Sequence, residues 1–462
     1  MRDCALKRLN QLLLICSFGL ANLPAAGAET IKEAVQFALT TNPALKATEA
    51  EMRASTFELM ELRGEYLPKV EVFGEAGWQR IDDPAFLPPE DNNRVGDRQQ
   101  LGFNASVVIF DGFRRANLVY ANAARVDGNI FRLLDASETM ALNAAESYID
   151  VVRHRALIEV AKRNVASHRE IGRRVRDLVE AGRLPYSDEL TIDDRISFAE
   201  LALVDVQRAL RDANARYQRV IGRPPGPNMR LQSGPLPKSL DILTQKSIKN
   251  SYRVKFAQTQ IDQSQFRADV ELSDNMPTLT LNAGITRDIN RNGLTGRRTD
   301  EYVGFGLRWT LYQGGRKEER NAFAQLTQQA LSERAVAMRE VVELAALSWN
   351  NYRSTAERNA MLTQQLRINR LIVGIYGEEF AAAKRTLLDL LEVERARFNV
   401  EFQKVSSDAG VAFGSYRMLA AGSELAQHFG VKNSDITFAP NFQNRVKDAP
   451  TQVFNVNIEP MK

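Results

Sequence analysis

One strand-to-helix passage is written twice in this chain, and no other feature constrains the fold as tightly. Leu101-Gly102-Phe103-Asn104-Ala105-Ser106-Val107-Val108-Ile109-Phe110-Asp111-Gly112 returns as Val303-Gly304-Phe305-Gly306-Leu307-Arg308-Trp309-Thr310-Leu311-Tyr312-Gln313-Gly314 (303 − 101 = 202 residues later). In each copy an alternating segment runs straight into a long helical stretch. Residues 113–182 and 315–383, which number 70 and 69, contain no proline. At about 1.5 Å per residue each spans on the order of 100 Å, far more than a globular core needs. The chain length alone suggests two or three globular domains. The duplication points instead to one object with a membrane part and a protruding part.

The strand segments carry that reading. Residues 69–80 alternate, with Val70, Val72, Ala76 and Trp78 on one face and Lys69, Glu71, Glu75 and Gln79 on the other. Residues 99–111 follow after a loop rich in proline, aspartate and asparagine. The second copy repeats the pair at 277–287 and 301–312, with Leu279, Leu281, Ala283 and Ile285 opposed to Thr278, Thr280, Asn282 and Thr286. Strands of about ten residues with one apolar, aromatic-bearing face suit a lipid-facing barrel. A hairpin pair in a soluble sandwich shows the same alternation; the leader and the polar Gly/Thr/Glu-rich second face favour the barrel. Four strands cannot close one, since the smallest have about eight. Open edges are not tolerated in lipid. The barrel is therefore expected to be shared between chains. Trp78 and Trp309 suit an aromatic belt at the membrane interface, or simple packing.

The helices are expected to pair through a coiled-coil seam. Ala141, Ala144, Tyr148, Val151, Ile158, Ala161 and Val165 step by three and four, interrupted once by Arg155. Thr30 and Glu33 form a capping box, opening a helix read as running to about Tyr66, where Leu67-Pro68 stops it. Each long helix reaches a tip and returns, to 222 in the first copy and 421 in the second. The tips are Ala181-Gly182-Arg183-Leu184-Pro185-Tyr186-Ser187-Asp188 and Ala383-Lys384-Arg385-Thr386-Leu387-Leu388-Asp389, with Asp188 and Asp389 at equivalent positions.

Residues 1–28 read as a secretory signal: Arg2, Lys7 and Arg8, an apolar run from Leu12 to Leu20, then Ala26-Gly27-Ala28. The repeats then occupy 29–228 and 229–428, and 429–462 is a polar tail. Both cysteines, Cys4 and Cys16, lie in the leader, which removes disulfide scaffolds and thiol chemistry from the mature chain. Cys16 as a lipid-anchor cysteine is disfavoured by Ile15 before it. No apolar run of 18 residues follows the leader. The leader carries three basic residues and Asp3, so the net charge falls from +4 to about +2 (4 − 2). That balance argues against a nucleic-acid partner. His154 and His168, two heptads apart, cannot share a metal. No phosphate loop, Ser-His-Asp set or metal cluster is visible, so no cofactor and no enzyme activity are expected.

The chain resembles the TolC-like outer-membrane efflux protein family over about residues 30–425. The likeness rests on Glu33-Ala34-Val35 with Ala38-Leu39 and Asn42-Pro43, on Leu67-Pro68, on Phe110-Asp111-Gly112-Phe113-Arg114, and on Arg385-Thr386-Leu387-Leu388-Asp389-Leu390-Leu391, in that order and spacing. The resemblance implies an α+β membrane protein with an internal two-fold repeat and a homotrimeric assembly. Each chain gives four strands to a twelve-stranded barrel in outer-membrane lipid, and the helices form a coiled-coil α-barrel in the periplasm. It implies a passive exit duct engaged by a periplasmic adaptor protein and an inner-membrane ABC or proton-driven transporter. Within the family the chain is most similar to the type I protein secretion branch; the outlet of a multidrug pump is the alternative. The resemblance also implies a gate at the tips, with Asp389 and Glu392 as an acidic pore ring and Arg385 meeting Ser187 and Asp188. Phe380 stands where the family's gate tyrosine is expected, so one gate hydrogen bond is missing. Two rivals differ in pattern. A trimeric adhesin keeps its strands at one terminus, and an uptake porin has many more strands and no such helices.

Overall fold

A computed structural model describes residues 29–433. The expected leader, and the tail from 434 onward, lie outside the described residues. The described chain falls into two compact units: residues 29–38, 143–233 and 355–413 form one, and residues 39–142, 234–354 and 414–433 the other.

The duplication is present element by element. The first copy is α1 (Ile31–Thr41), α2 (Pro43–Gly64), β1 (Lys69–Arg80), β2 (Val95–Phe110), α3 (Arg114–Glu180) and α4 (Tyr186–Ile221). The second is α5 (Leu240–Asn250), α6 (Tyr252–Ser273), β3 (Thr278–Ile289), β4 (Arg297–Arg308), α7 (Arg316–Ala381) and α8 (Leu387–Ala421), followed by the short α9 (Leu425–His428). Matching helices agree to within one residue: 11 and 11, 22 and 22, 67 and 66, 36 and 35. No helix among the described residues is long and apolar enough to cross a membrane.

The seam residues behave as their spacing dictates. Ala141, Ala144, Tyr148, Val151, Ala161 and Val165 are buried, and Ile158 is partly so. Arg155 turns out of the row and donates to the carbonyls of Gly226 and Pro227 at 2.7 and 2.9 Å. His154 and His168 are buried seam residues, each giving Nδ1 to the carbonyl four residues back. The capping box closes as expected, with Thr30 N to Glu33 at 3.1 Å and Glu33 N to Thr30 Oγ1 at 3.3 Å.

Several boundaries differ from the sequence reading, and β2 begins at Val95, ahead of the expected start at 99. The helix expected from 30 to 66 is two helices, because Pro43 forces Asn42 into extended backbone (φ −65°, ψ 124°), where its side chain caps Ala44 N. Ser251 makes the same break between α5 and α6. The fourth strand lies at 297–308 rather than 301–312. Polar pairs such as Thr286↔Asp300 and Asp288↔Arg298 extend the ladder toward its hairpin. At the other end the Thr310 carbonyl accepts from Arg316, and the Trp309 indole N–H donates to Asn275 O at 3.1 Å. The tail starts later than 429: Phe429 is buried against Tyr416 (5.4 Å between centroids), and Val431 N bonds Ala426 O.

α9 is held by a buried carboxylate. Glu138 on α3 accepts from the amides of Leu425 and Ala426 at 2.9 and 3.1 Å, serving two of the orphan donors at that helix start. Burial pushes the Glu138 carboxyl up to about 7 from 4.5, while the two amide bonds pull it down. The folded state therefore keeps a proton that the unfolded chain releases. The associated stability is full below pH 4.5 and is lost as pH rises through 7, on the order of 3 kcal/mol in all. Thermal unfolding in detergent is expected to show this fall in Tm, and Glu138→Gln to remove that part of the slope. An unchanged slope in the variant would assign it to other groups.

Candidate functional site: a lipid-facing sheet and paired helix turns

The four strands form one antiparallel sheet in the order β1-β2-β3-β4. Its register sorts most residues by polarity, although toward the hairpins Arg287 and Glu301 fall on the apolar side, opposite Leu101 and Ile285. Val72↔Phe103, Phe103↔Ile285, Ala105↔Ala283, Leu281↔Phe305 and Ala283↔Val303 share one face. The opposite face carries Glu71, Glu75, Arg98, Asn104, Asn282, Thr286 and Asp300. The apolar face is bare: Val72, Val303, Phe305 and Leu307 are each about 70% exposed or more (72, 77, 72 and 69%). A continuous apolar surface of that extent on an exposed sheet marks a lipid or partner contact. Trp78, 85% exposed, sits near the hairpin end of β1, and Trp309 follows the last residue of β4 at the opposite end.

The sheet meets the helices through a residue the sequence reading passed over. Arg115, in the first turn of α3, is buried. Its guanidinium binds Asp111 at 2.6 Å, donates to Glu65 O at 3.0 Å and to Val108 O at 2.8 Å, and lies 4.5 Å from the Tyr66 ring centroid. One cation thereby ties the end of α2, the last pairs of β2 and the start of α3. Gly112 beside it has φ +67°, and a Cβ there would come within 2.5 Å of Met276 Cβ and 2.7 Å of Ser273 O.

In the other unit, the α3–α4 and α7–α8 turns pack together over a shared core. Ile171, Val175 and Ile192 meet Phe380, Leu387, Leu390 and Leu391. Both turns close with the same paired bonds: Arg183 N to Leu178 O and Gly182 N to Val179 O, then Lys384 N to Glu379 O and Ala383 N to Phe380 O. Each requires a left-handed residue, which is Gly182 (φ +71°) in one copy and Ala383 (φ +60°) in the other. The alanine carries the steric cost that glycine avoids, so Ala383→Gly is expected to stabilise this unit by about 1 kcal/mol. A Tm that falls would show that the turn is held by something else.

The candidate gate residues lie on these turns. Asp389 closes a capping box with Thr386: its carboxylate accepts from Thr386 N and Oγ1 at 3.3 and 2.9 Å, and its own amide donates back to Thr386 Oγ1 at 3.2 Å. Glu392 is exposed and pairs with Arg395 at 2.8 Å. Asp188 occupies the matching third position of α4, whose N-cap Pro185 offers no side-chain bond. Arg385 differs from expectation within one chain: it meets Glu379 at 2.8 Å and lies 4.4 Å from the Tyr376 ring centroid, rather than reaching Ser187 or Asp188. Phe380, where a tyrosine was expected, is buried in the shared core.

A second set of charges went unseen in the sequence. Glu394 and Glu401 are nearly fully buried, with Arg397 between them. Arg397 meets Glu394 at 2.7 Å and Glu401 at 3.5 Å. Ser167 donates to Glu394 at 2.7 Å, and Arg163 and Arg370 reach Glu401 at 2.9 and 3.1 Å. This layer joins α8 to α3 and α7. Its signal was the heptad spacing: Leu387, Glu394 and Glu401 occupy one seam position. Among the described residues no group of His, Cys, Asp or Glu is arranged to hold a metal.

The family model for outer membrane efflux proteins matches residues 34–223 and 243–409, the two repeats in turn. The chain belongs to the outer membrane efflux protein family. Solved structures agree in fold. CusC matches with TM-score 0.76 at 14% identity, covering 88% of this chain and 95% of its own. VceC from Vibrio cholerae gives 0.74 at 13%, covering 85% and 96%. The CmeC outer membrane channel of Campylobacter jejuni gives 0.76 at 13%, covering 93% and 90%. Comparison with curated protein sequences gives no match. As an outer membrane efflux protein, the chain is an outer-membrane channel of tripartite systems. Its four-stranded sheet lies in the outer membrane and its helices in the periplasm.

Proposed function

We propose that three copies pool their strands into one twelve-stranded barrel and form the passive exit duct of a tripartite export system. A periplasmic adaptor and an inner-membrane ABC or proton-driven transporter deliver the cargo. The observation that carries this reading is the pair of sheet edges. Among the described residues β1 and β4 each pair on one side only, and lipid does not tolerate unpaired strands. Trp78 and Trp309, at opposite ends of the sheet, serve as the two interfacial belts.

The cargo assigned is a secreted protein, in the manner of type I secretion. The efflux description of the matching family favours a second reading, the outlet of a pump for small toxic compounds. A deletion strain separates the two. Loss of one large secreted protein with normal dye export supports protein secretion. Dye retention with an intact secretome makes the chain a pump outlet.

The gate is assigned to the paired turns. Asp389 and Glu392, one helical turn apart, supply six carboxylates to a threefold ring, which attracts cations. Arg395 beside Glu392 moderates that charge. Arg385, Ser187 and Asp188 are the polar contacts of closure. Because Glu379 and Tyr376 hold Arg385 within one chain, its pairing with Asp188 forms between copies or on closing. Asp389→Asn with Glu392→Gln keeps a capping acceptor and removes the charge. In planar bilayers the pair is expected to weaken cation selectivity and divalent-cation block. Unchanged selectivity would remove these residues from the pore ring.

A further inference from the structure

The unit that contains the sheet carries an apolar groove of about 370 Å³ between α3, α6 and α7, lined by Phe131, Ala136, Tyr252, Phe256, Ala257 and Ala337. Its rim is charged: Arg253 bridges to Asp135 at 3.2 Å and is half exposed, and Arg132 and Glu333 flank it. Lys255 places its ammonium 5.4 Å from the Tyr252 ring and 6.0 Å from the Phe131 ring.

The chain leads to this groove. After α9, Phe429 is buried and Val431 N bonds Ala426 O. At the last described residue, Asn433 Nδ2 donates to the Tyr252 hydroxyl at 2.9 Å, and that hydroxyl also reaches Asn433 Oδ1 at 3.2 Å. Tyr252 is itself a wall of the groove. The next residues are Ser434-Asp435-Ile436-Thr437-Phe438-Ala439-Pro440-Asn441-Phe442. In an extended chain Ile436 and Phe438 fall on one side. Five residues reach up to about 17 Å, more than the roughly 12 Å of α6 from Tyr252 to Gln260. On the rim, the Arg253 guanidinium, with five donors, can serve a second carboxylate beside Asp135.

We propose that residues 434–442 dock along this groove of their own chain, with Ile436 and Phe438 against Phe131, Tyr252 and Phe256, and with Asp435 at Arg253. The tail segment thereby straps α6 to α3 and α7. The strap does not depend on what the duct exports.

Cysteine pairing tests this directly, because the sequence has no cysteine beyond Cys16. Ala337→Cys with Ala439→Cys, in the full chain inserted in outer membranes, is expected to form a disulfide within one chain on mild oxidation, read by peptide mass spectrometry. Ala335→Cys, two residues away on another face of α7, is the control and is expected to stay reduced. Maleimide labelling of Ala337→Cys alone is expected to rise at least several-fold when Ile436 and Phe438 are both changed to serine. Three results would overturn the proposal. A disulfide only between chains would give the groove to a neighbour's tail. A protected thiol with no disulfide would give it to another part of a second copy. A freely labelled thiol with the native tail would leave it empty.

Discussion

Arg397→Met is expected to destabilise the unit that holds the helix turns by about 3–5 kcal/mol, the cost of breaking a buried pair from one side. The arginine is the cation between Glu394 and Glu401, whose side chains are 5 and 7% exposed. Glu401 keeps Arg163 and Arg370 after the change, but Glu394 keeps only the Ser167 hydroxyl. The cost therefore falls mainly on Glu394. Denaturant unfolding in detergent reads the loss. Adding Glu394→Leu is expected to recover much of it, since replacing a buried ionic set by apolar groups is often neutral or better. If the single and double variants were equally unstable, the loss would come from packing of the arginine stem instead of a stranded carboxylate.

Gly112→Ala is the second large effect, about 2–5 kcal/mol. The left-handed backbone costs an alanine about 1–2 kcal/mol, and overpacking adds about 1–3. The added carbon would meet Met276 Cβ at 2.5 Å and Ser273 O at 2.7 Å, and the carbonyl belongs to the end of α6. The repeat supplies its own control. Gly314 stands at the corresponding place in the second copy with nothing within 4 Å of a Cβ, so Gly314→Ala is expected to be nearly neutral. Membrane insertion and Tm measured side by side should separate the two. Equal behaviour would mean that the close approach at Gly112 relaxes freely.

Most of the fold was legible because it rests on long-period signals. Proline-free stretches set the two long helices to within two residues of their ends, and strict alternation located the sheet and both of its faces. The break at Asn42 was also legible, since Pro43 restricts the residue before it, but the helical pattern continued through it and hid the stop. The strand ends drifted because Trp309 to Tyr312 alternate like strand residues, while Arg316 and Asn275 take up their polar groups.

The site residues were less legible, for one physical reason. A charged side chain looks the same in sequence whether it meets water or a buried partner. Arg115 sits next to the quoted Phe110 to Arg114 motif, yet its partners Glu65 and Val108 are backbone carbonyls from other elements. Glu394 and Glu401 carry no sign of burial in the sequence beyond their heptad spacing, and their partners Arg163, Arg370 and Ser167 come from α3 and α7. Arg385 was assigned a partner across the turns, but Glu379 lies nearer, six residues earlier on the same turn.

The most direct test is the number of copies in the membrane-inserted particle. Native mass spectrometry of the protein extracted from outer membranes in mild detergent should give three times the mass of one chain, with no folded monomer. Three copies of the four-stranded sheet close a twelve-stranded barrel. A stable monomer that retains its strand content in detergent would contradict the shared barrel, and with it the reading of β1 and β4 as edges completed by other copies.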